Sequence, residues 1–281
     1  MTQAVATRPA APPGTDPGAR RPRRWTRWVL PVYTWLIILY LVLPILVMIA
    51  FGFNDTKSKL NLSWQGFTVH WYRDVFSIDA LSTALRNTLL IAVLSTAIST
   101  VLGTMLGLAL GRHRFQGRGG VDLVIFAAIS APELVLGAAL LSLFITLQVP
   151  RGFLTILVAH IMFSVSFVAV TVRARMAGFD VSLEEAAQDL GANPWTTFRK
   201  VTLPLIFPGV MAGALLAFAL SIDDYIITSF VNGQTETFPI WVFGATRQGV
   251  PPQVNVMGTF LFLAGVSLAV VNGVALRRRK L

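Results

Sequence analysis

Three carboxylates stand deep within stretches that are otherwise apolar: Glu133, inside residues 121–147, and the adjacent pair Asp223-Asp224, inside residues 205–230. An ionised carboxylate is costly in hydrocarbon, so acids in such places line a path for polar solutes or ions, or are neutralised by partners. Neither stretch contains a Lys or Arg, and an acid-lined chamber that accepts cations follows. Tyr225, Phe230 and Trp241 flank the pair in sequence, and aromatic faces beside carboxylates suit organic cations. Trp241 taken alone fits an interfacial aromatic anchor equally well. Glu133 follows Pro132, so a second role, partnering backbone groups freed by the proline, also fits it. Neighbours on a helix point about 100° apart, so one Asp of the pair is expected to face the pathway and the other to brace a helix or a gate.

Other chemistries are poorly supplied. The chain has no cysteine, which removes disulfides and thiolate sites. His70, His113 and His160 share no metal-ligand spacing, and only His160 lies within an apolar stretch, where hydrogen-bonded packing is the expected role. No nucleophile and base constellation is visible, and no catalytic residue, metal ligand or cofactor is assigned. The Gly-x-x-x-x-Gly-Lys-Ser/Thr phosphate loop is absent, so ATP has no usual cradle in this chain. The net charge of +10 would suit nucleic acid only if gathered on a polar domain, and the sequence has none.

The elements that must position these residues are membrane helices. The chain of 281 residues is 54% hydrophobic and 13% charged, roughly half the charge of a soluble domain at ~25%. Residues 1–28, rich in Pro, Ala and Arg, read as a disordered basic tail. Six apolar stretches follow in the domain 29–281, at about 29–51, 85–110, 121–147, 153–172, 205–230 and 254–276, each able to cross a bilayer as a helix of about 20 residues. With the amino terminus inside, alternate loops hold 17 of the 23 Lys and Arg, which predicts both termini in the cytoplasm. At about 1.5 Å per residue, Glu133 then lies about 18 Å along its span and the Asp pair about 27 Å along its own, at or beyond the midplane.

Between the fourth and fifth spans, residues 173–204 are amphipathic. Ser182-Leu183-Glu184-Glu185 has the spacing of a capping box, with Ser182 at the cap and Glu185 reaching back. The helix continues through Ala186 and Ala187, Gly191 stops it, and Asn193-Pro194 starts a second short helix from Trp195 to about Val201. Two short helices with a small-residue face make a knob that another protein can accept, with Arg199-Lys200 at its basic end. On spacing alone an ordinary surface loop is an equal reading.

Glu185-Ala186-Ala187, then Gly191 after three intervening residues, and Leu203-Pro204 resemble the EAA loop of bacterial ABC importer permeases. The resemblance implies the six-helix type I importer permease fold, all-α, in the bacterial cytoplasmic membrane. It also implies that Glu184, Glu185, Ala186, Ala187, Gly191, Leu203 and Pro204 dock on a separate ATPase dimer, which binds the ATP and Mg. A second, similar permease and an extracytoplasmic binding protein are the other partners it implies. The run from Ser221 to Val231, then Phe238-Pro239, Gly249-Val250 and Val254-Asn255, is similar to the second permease of spermidine/putrescine importers, as is Pro132 to Gly137. It implies polyamine transport, with Glu133, Asp223, Asp224, Tyr225, Trp241 and Asn255 as pathway candidates. Gln253 departs from the acidic residue usual in that family before the Val-Asn step. Another small organic solute or a metal ion, carried by a related importer, is the alternative cargo. An ion-coupled carrier or channel would use the same acids but has no need of the loop, and the inverted repeats common in carriers are not seen.

Overall fold

The computed structural model describes residues 26–58 and 61–278. The tail expected over residues 1–28 falls outside them up to residue 25. The described residues form α1 (Thr26–Phe51), α2 (His70–Arg73), α3 (Asp79–Arg112), α4 (Arg118–Ser130), α5 (Glu133–Thr146) and α6 (Phe153–Met176). There follow α7 (Ser182–Asp189), α8 (Pro194–Thr197), a π turn (Phe198–Thr202), α9 (Leu203–Asp223), α10 (Ile226–Val231), α11 (Phe238–Ala245) and α12 (Pro252–Arg278). Five helical stretches among these residues are long and apolar enough to cross a bilayer, and α4 with α5 supplies a sixth if that bent pair counts as one span.

The chain divides between Val47 and Met48 into two units. The first holds most of α1, which stays helical through Pro31 and Pro44. In the second, α3, α6 and α9 pack on one another through glycine. A Cβ on Gly103 would lie 2.6 Å from Cβ of Val168, one on Gly107 2.7 Å from the Ala169 carbonyl, and one on Gly111 2.9 Å from Cβ of Met176. Spaced four residues apart, these glycines form one stripe along α3 and let the backbones of α3 and α6 approach, a device common where lipid provides no hydrophobic drive between helices. Gly209 and Gly213 of α9 meet Arg175 and Val168 on α6 in the same way. A core of Ile91, Leu140, Phe144, Ile156, Ala159, Phe163, Ile227 and Val231 joins α3, α5, α6 and α10.

Two expected spans are interrupted. The stretch 121–147 is not one straight helix: α4 and α5 meet at an angle of 110°. Proline disfavours helical geometry in the residue before it, and Ala131 is extended, with φ −69° and ψ 136°, before Pro132. The bend is held by Phe230, which lies over Gly137 of α5 with room for no side chain there, Cδ2 being 2.5 Å from where a Cβ would be.

The stretch 205–230 breaks as well, after Asp223, and restarts at Ile226. At its other end the second loop helix does not stop near Val201. It runs through the π turn into α9, giving one apolar helical stretch from Pro194 to Asp223. Pro204 lacks an N–H and its ring would crowd the carbonyl four residues back. The π turn widens the helix where that crowding falls.

Candidate functional site

The bend at Pro132 and the break after Asp223 face each other across one cavity. It measures about 460 Å³ and is lined by Glu133, Asp223, Asp224 and Tyr225, with Phe163, Phe167 and Leu220 among its apolar walls. Glu133 is exposed at the first position of α5, and Asp223 is exposed at the last position of α9.

The two aspartates do not share a helix. Asp224 has φ −62° and ψ 116°, which replaces the expected helical separation of the pair by a turn of the backbone. Its Oδ2 accepts hydrogen bonds from the amide of Thr228 at 2.8 Å and from the Thr228 hydroxyl at 2.6 Å. The amide is an orphan donor in the first turn of α10, so the carboxylate that follows one helix caps the next.

Behind Asp224 lies a buried polar node that sequence reasoning assigned only as packing. His160 Nε2 is 2.9 Å from the Thr228 hydroxyl and 3.4 Å from Asp224 Oδ2, and Nδ1 is 2.7 Å from Ser221 Oγ. Ser221 Oγ lies 3.0 Å from Ser95 Oγ on α3. The node therefore ties α3, α6, α9 and α10 at the back of the cavity. Ser221, Asp224 and Thr228 stand three and four residues apart, a spacing that the sequence displays. Nothing in the sequence pairs them with His160 or Ser95.

Trp241 is not among the residues lining this cavity. It lines another of about 420 Å³ with Ile78, Glu236 and Gly249. The two regions approach through Tyr225, whose ring centroid is 4.5 Å from that of Phe243 on α11. Asn255 lines neither cavity, and its carbonyl accepts from the Thr259 hydroxyl at 2.7 Å.

The amphipathic loop folds as α7 and α8. Ser182 is not the cap and no capping box forms: the helix begins at Ser182 with Val181 before it, and neither makes a side-chain cap bond. Asp180 takes the role, its Oδ1 accepting from the Ser182 amide at 3.0 Å. The Ser182 hydroxyl and then its amide hold the Asp180 carboxyl below its usual pKa. Gly191 ends α7 at φ +84°, with the Ala192 amide bonded to the Ala187 carbonyl and the Gly191 amide to that of Gln188, a Schellman closure. Asn193 caps α8, accepting from the Thr196 amide at 2.8 Å.

The two glutamates face different ways. Glu185 and Ala186 are exposed, Ala187 is half-buried and Gly191 is exposed. Glu184 is buried, paired with Arg112 at the end of α3 and accepting from the Thr202 hydroxyl in the π turn. Leu203 and Pro204 open α9 directly after that turn.

Residues 103–277 match the family described as binding-protein-dependent transport system inner membrane component. The spermidine/putrescine transport system permease protein PotC of Haemophilus influenzae is 35% identical over 247 residues, which cover 88% of this chain and 95% of that protein. The putrescine transport system permease protein PotI of Escherichia coli K12 is 38% identical over 230 residues, covering 79% and 81%. Among solved structures, a chain of a bacterial ABC transporter involved in import of the acidic polysaccharide alginate superposes with a TM-score of 0.65 at 19% identity, covering 93% of this chain and 99% of that one. A chain of the inward-facing MetNI methionine ABC transporter gives 0.59 at 18% identity, covering 70% and 95%. At those identities the structures speak for the fold, whereas the sequence matches extend over the cavity and the loop alike. The chain belongs to the family of inner membrane components of binding-protein-dependent transport systems.

Proposed function

We propose that this chain is the permease subunit of an importer that moves a polyamine, of the spermidine or putrescine kind, through the cavity between Glu133 and Asp223. The observation that carries the reading is the cavity itself. Three carboxylates and the rings of Phe163, Phe167 and Tyr225 meet in one space, and a linear di- or triammonium chain needs anions for its ends and apolar or aromatic walls for its methylenes. The relatives described above, named for spermidine and putrescine, support the same cargo.

Six spans fit this reading, the bent α4 and α5 counting as one, with both termini in the cytoplasm. Arg112 and Arg173, which pair with Glu184 and Asp122, then lie on the inner side, as the excess of basic residues there requires. The exposed face of α7, with Glu185, Ala186 and Gly191, docks on a partner ATPase that binds ATP and Mg. A second permease completes the path, and an external binding protein delivers the cargo. ATP binding draws the ATPases together, and α7 and α8 pass that motion to the spans, opening the cavity to one side and then the other. No bond of the cargo is made or broken.

The test is uptake of labelled spermidine and putrescine by cells lacking the gene and complemented with variants. Glu133→Gln and Asp223→Asn are each expected to reduce uptake while the protein remains in the membrane. Unchanged uptake in both, and in Asp224→Asn, sinks the acidic pathway.

A further inference from the structure

The docking helix is bonded to the body of the protein through a single buried carboxylate. Helix α7 is eight residues long, with Glu184 and Glu185 in its first turn. Successive residues on a helix diverge by about 100°, and these two acids use that divergence to face opposite ways. Glu185 is exposed, while the Glu184 side chain retains 2% of its accessible surface. Its partners come from two different elements. Arg112, the last residue of α3, presents both terminal nitrogens to it, with Nη1 3.0 Å from Oε1. Thr202, the last residue of the π turn, donates its hydroxyl to the same Oε1. Among the described residues no other ion pair joins α7 to a second helix.

Resting on the docking role proposed for α7, we propose that Glu184 is the positioning residue of the coupling loop. Its carboxylate locks α7 to α3 and to the root of α9 together, so that one displacement of α7 moves two spans. The two ends of this strut differ in kind. The guanidinium end is a charge-assisted contact, with Nη1 donating to Oε1 and Nη2 lying beside Oε2 as an ion pair. The threonine contact acts on the π turn, the one segment of the Pro194–Asp223 stretch without α-helical bonding, where a helix yields most readily. At its far end α9 reaches the cavity with Asp223, and α3 reaches the buried node through Ser95. Of the two spans held by Glu184, α9 therefore lines the carboxylate cavity and α3 braces the polar node behind it.

The absence of cysteine from the chain allows a direct test in the assembled transporter. Ala128, half-buried on the cavity wall, is replaced by Cys, and its labelling by a polar maleimide is followed with and without ATP and vanadate. In the otherwise native chain the labelling rate changes with nucleotide. With Glu184→Gln, or with Arg112→Gln, the ATPase still co-purifies and hydrolyses ATP but the nucleotide-dependent change is lost, and Arg112→Lys retains part of it. In a second pair of variants, Arg112→Cys with Glu184→Cys, a bifunctional thiol reagent bridging the two sites restores the nucleotide response, read there by fluorescence of a dye placed at Ala128 by unnatural amino-acid substitution.

A nucleotide response of native size in Glu184→Gln overturns the proposal. So does loss of ATPase co-purification that the bridge fails to repair, because the pair would then belong to the docking face. Failure of the docking role itself reads differently: Ala186→Trp, on the exposed face of α7, would leave co-purification and the nucleotide response intact.

Discussion

Asp223 and Asp224 are neighbours in sequence with opposite environments, and one backbone angle separates them. With ψ at 116°, Asp224 turns back on Thr228 and His160, its side chain 5% exposed, while Asp223 stays exposed in the cavity. An unpaired charge in that position would be costly, and the hydrogen bonds from Thr228 supply the compensation. A hydrogen bond to a charged group contributes about 1.5–3 kcal/mol, so Thr228→Val is expected to lower stability by an amount in that range. Thermal unfolding of the purified protein in detergent measures it. Asp223→Asn, which removes no such bond, should leave the unfolding midpoint in place. The sequence marked both acids as functional because charge in an apolar stretch is conspicuous. It left their division of labour open, because that division depends on a helix break which the adjacent pair does not announce.

At the scale of elements, composition predicts well where lipid is the only solvent, and poorly where the helix must deform. Helices α3, α6 and α12 overlap the expected spans, since an apolar run of membrane length has few other places to go. The bend at Pro132 was not expected because proline is tolerated in many membrane helices. Here it ends one, since α5 must turn to lie under Phe230. The cap of α7 moved from Ser182 to Asp180 for a smaller reason: both side chains can accept an amide, and Val181 already has helical angles, φ −63° and ψ −26°, which starts the turn earlier. Gly103, Gly107 and Gly111 stand four residues apart, but sequence reasoning drew nothing from them, because close packing against α6 shows only in the fold. Gly107→Ala must push the Ala169 carbonyl and Val172 away and should cost about 1–3 kcal/mol, the usual range for overpacking. Gly119→Ala, with nothing within 4 Å of the added carbon, should be neutral. The same thermal unfolding compares the two.

For the whole molecule, function depends on which end of the helices meets ATP, and charge gives the reason for the assignment proposed above. Arg112 closes α3, Arg173 and Arg175 lie in the last turn of α6, and Arg199 with Lys200 lies in the turn before α9. Arg112 pairs with Glu184 on α7 and Arg173 with Asp122 on α4, so the basic residues gather at the end that carries α7. Near Asn87, whose side chain donates to the Glu236 carbonyl at 2.9 Å, the surface is instead acidic and amidic, a hollow of about 410 Å³ lined by Asp79, Asn232, Gln234 and Glu236. Lys and Arg are retained on the cytoplasmic side during insertion, and an acidic mouth on the other side attracts cations before they enter. Single cysteines at Gln188 and Gln234, both exposed, separate the two ends in a chain that has no cysteine of its own. In intact spheroplasts an impermeant maleimide should label the Gln234→Cys variant and reach Gln188→Cys only after the membrane is opened. The reverse pattern would place α7 outside, beyond the reach of any cytoplasmic ATPase, and would end the coupling reading together with the orientation.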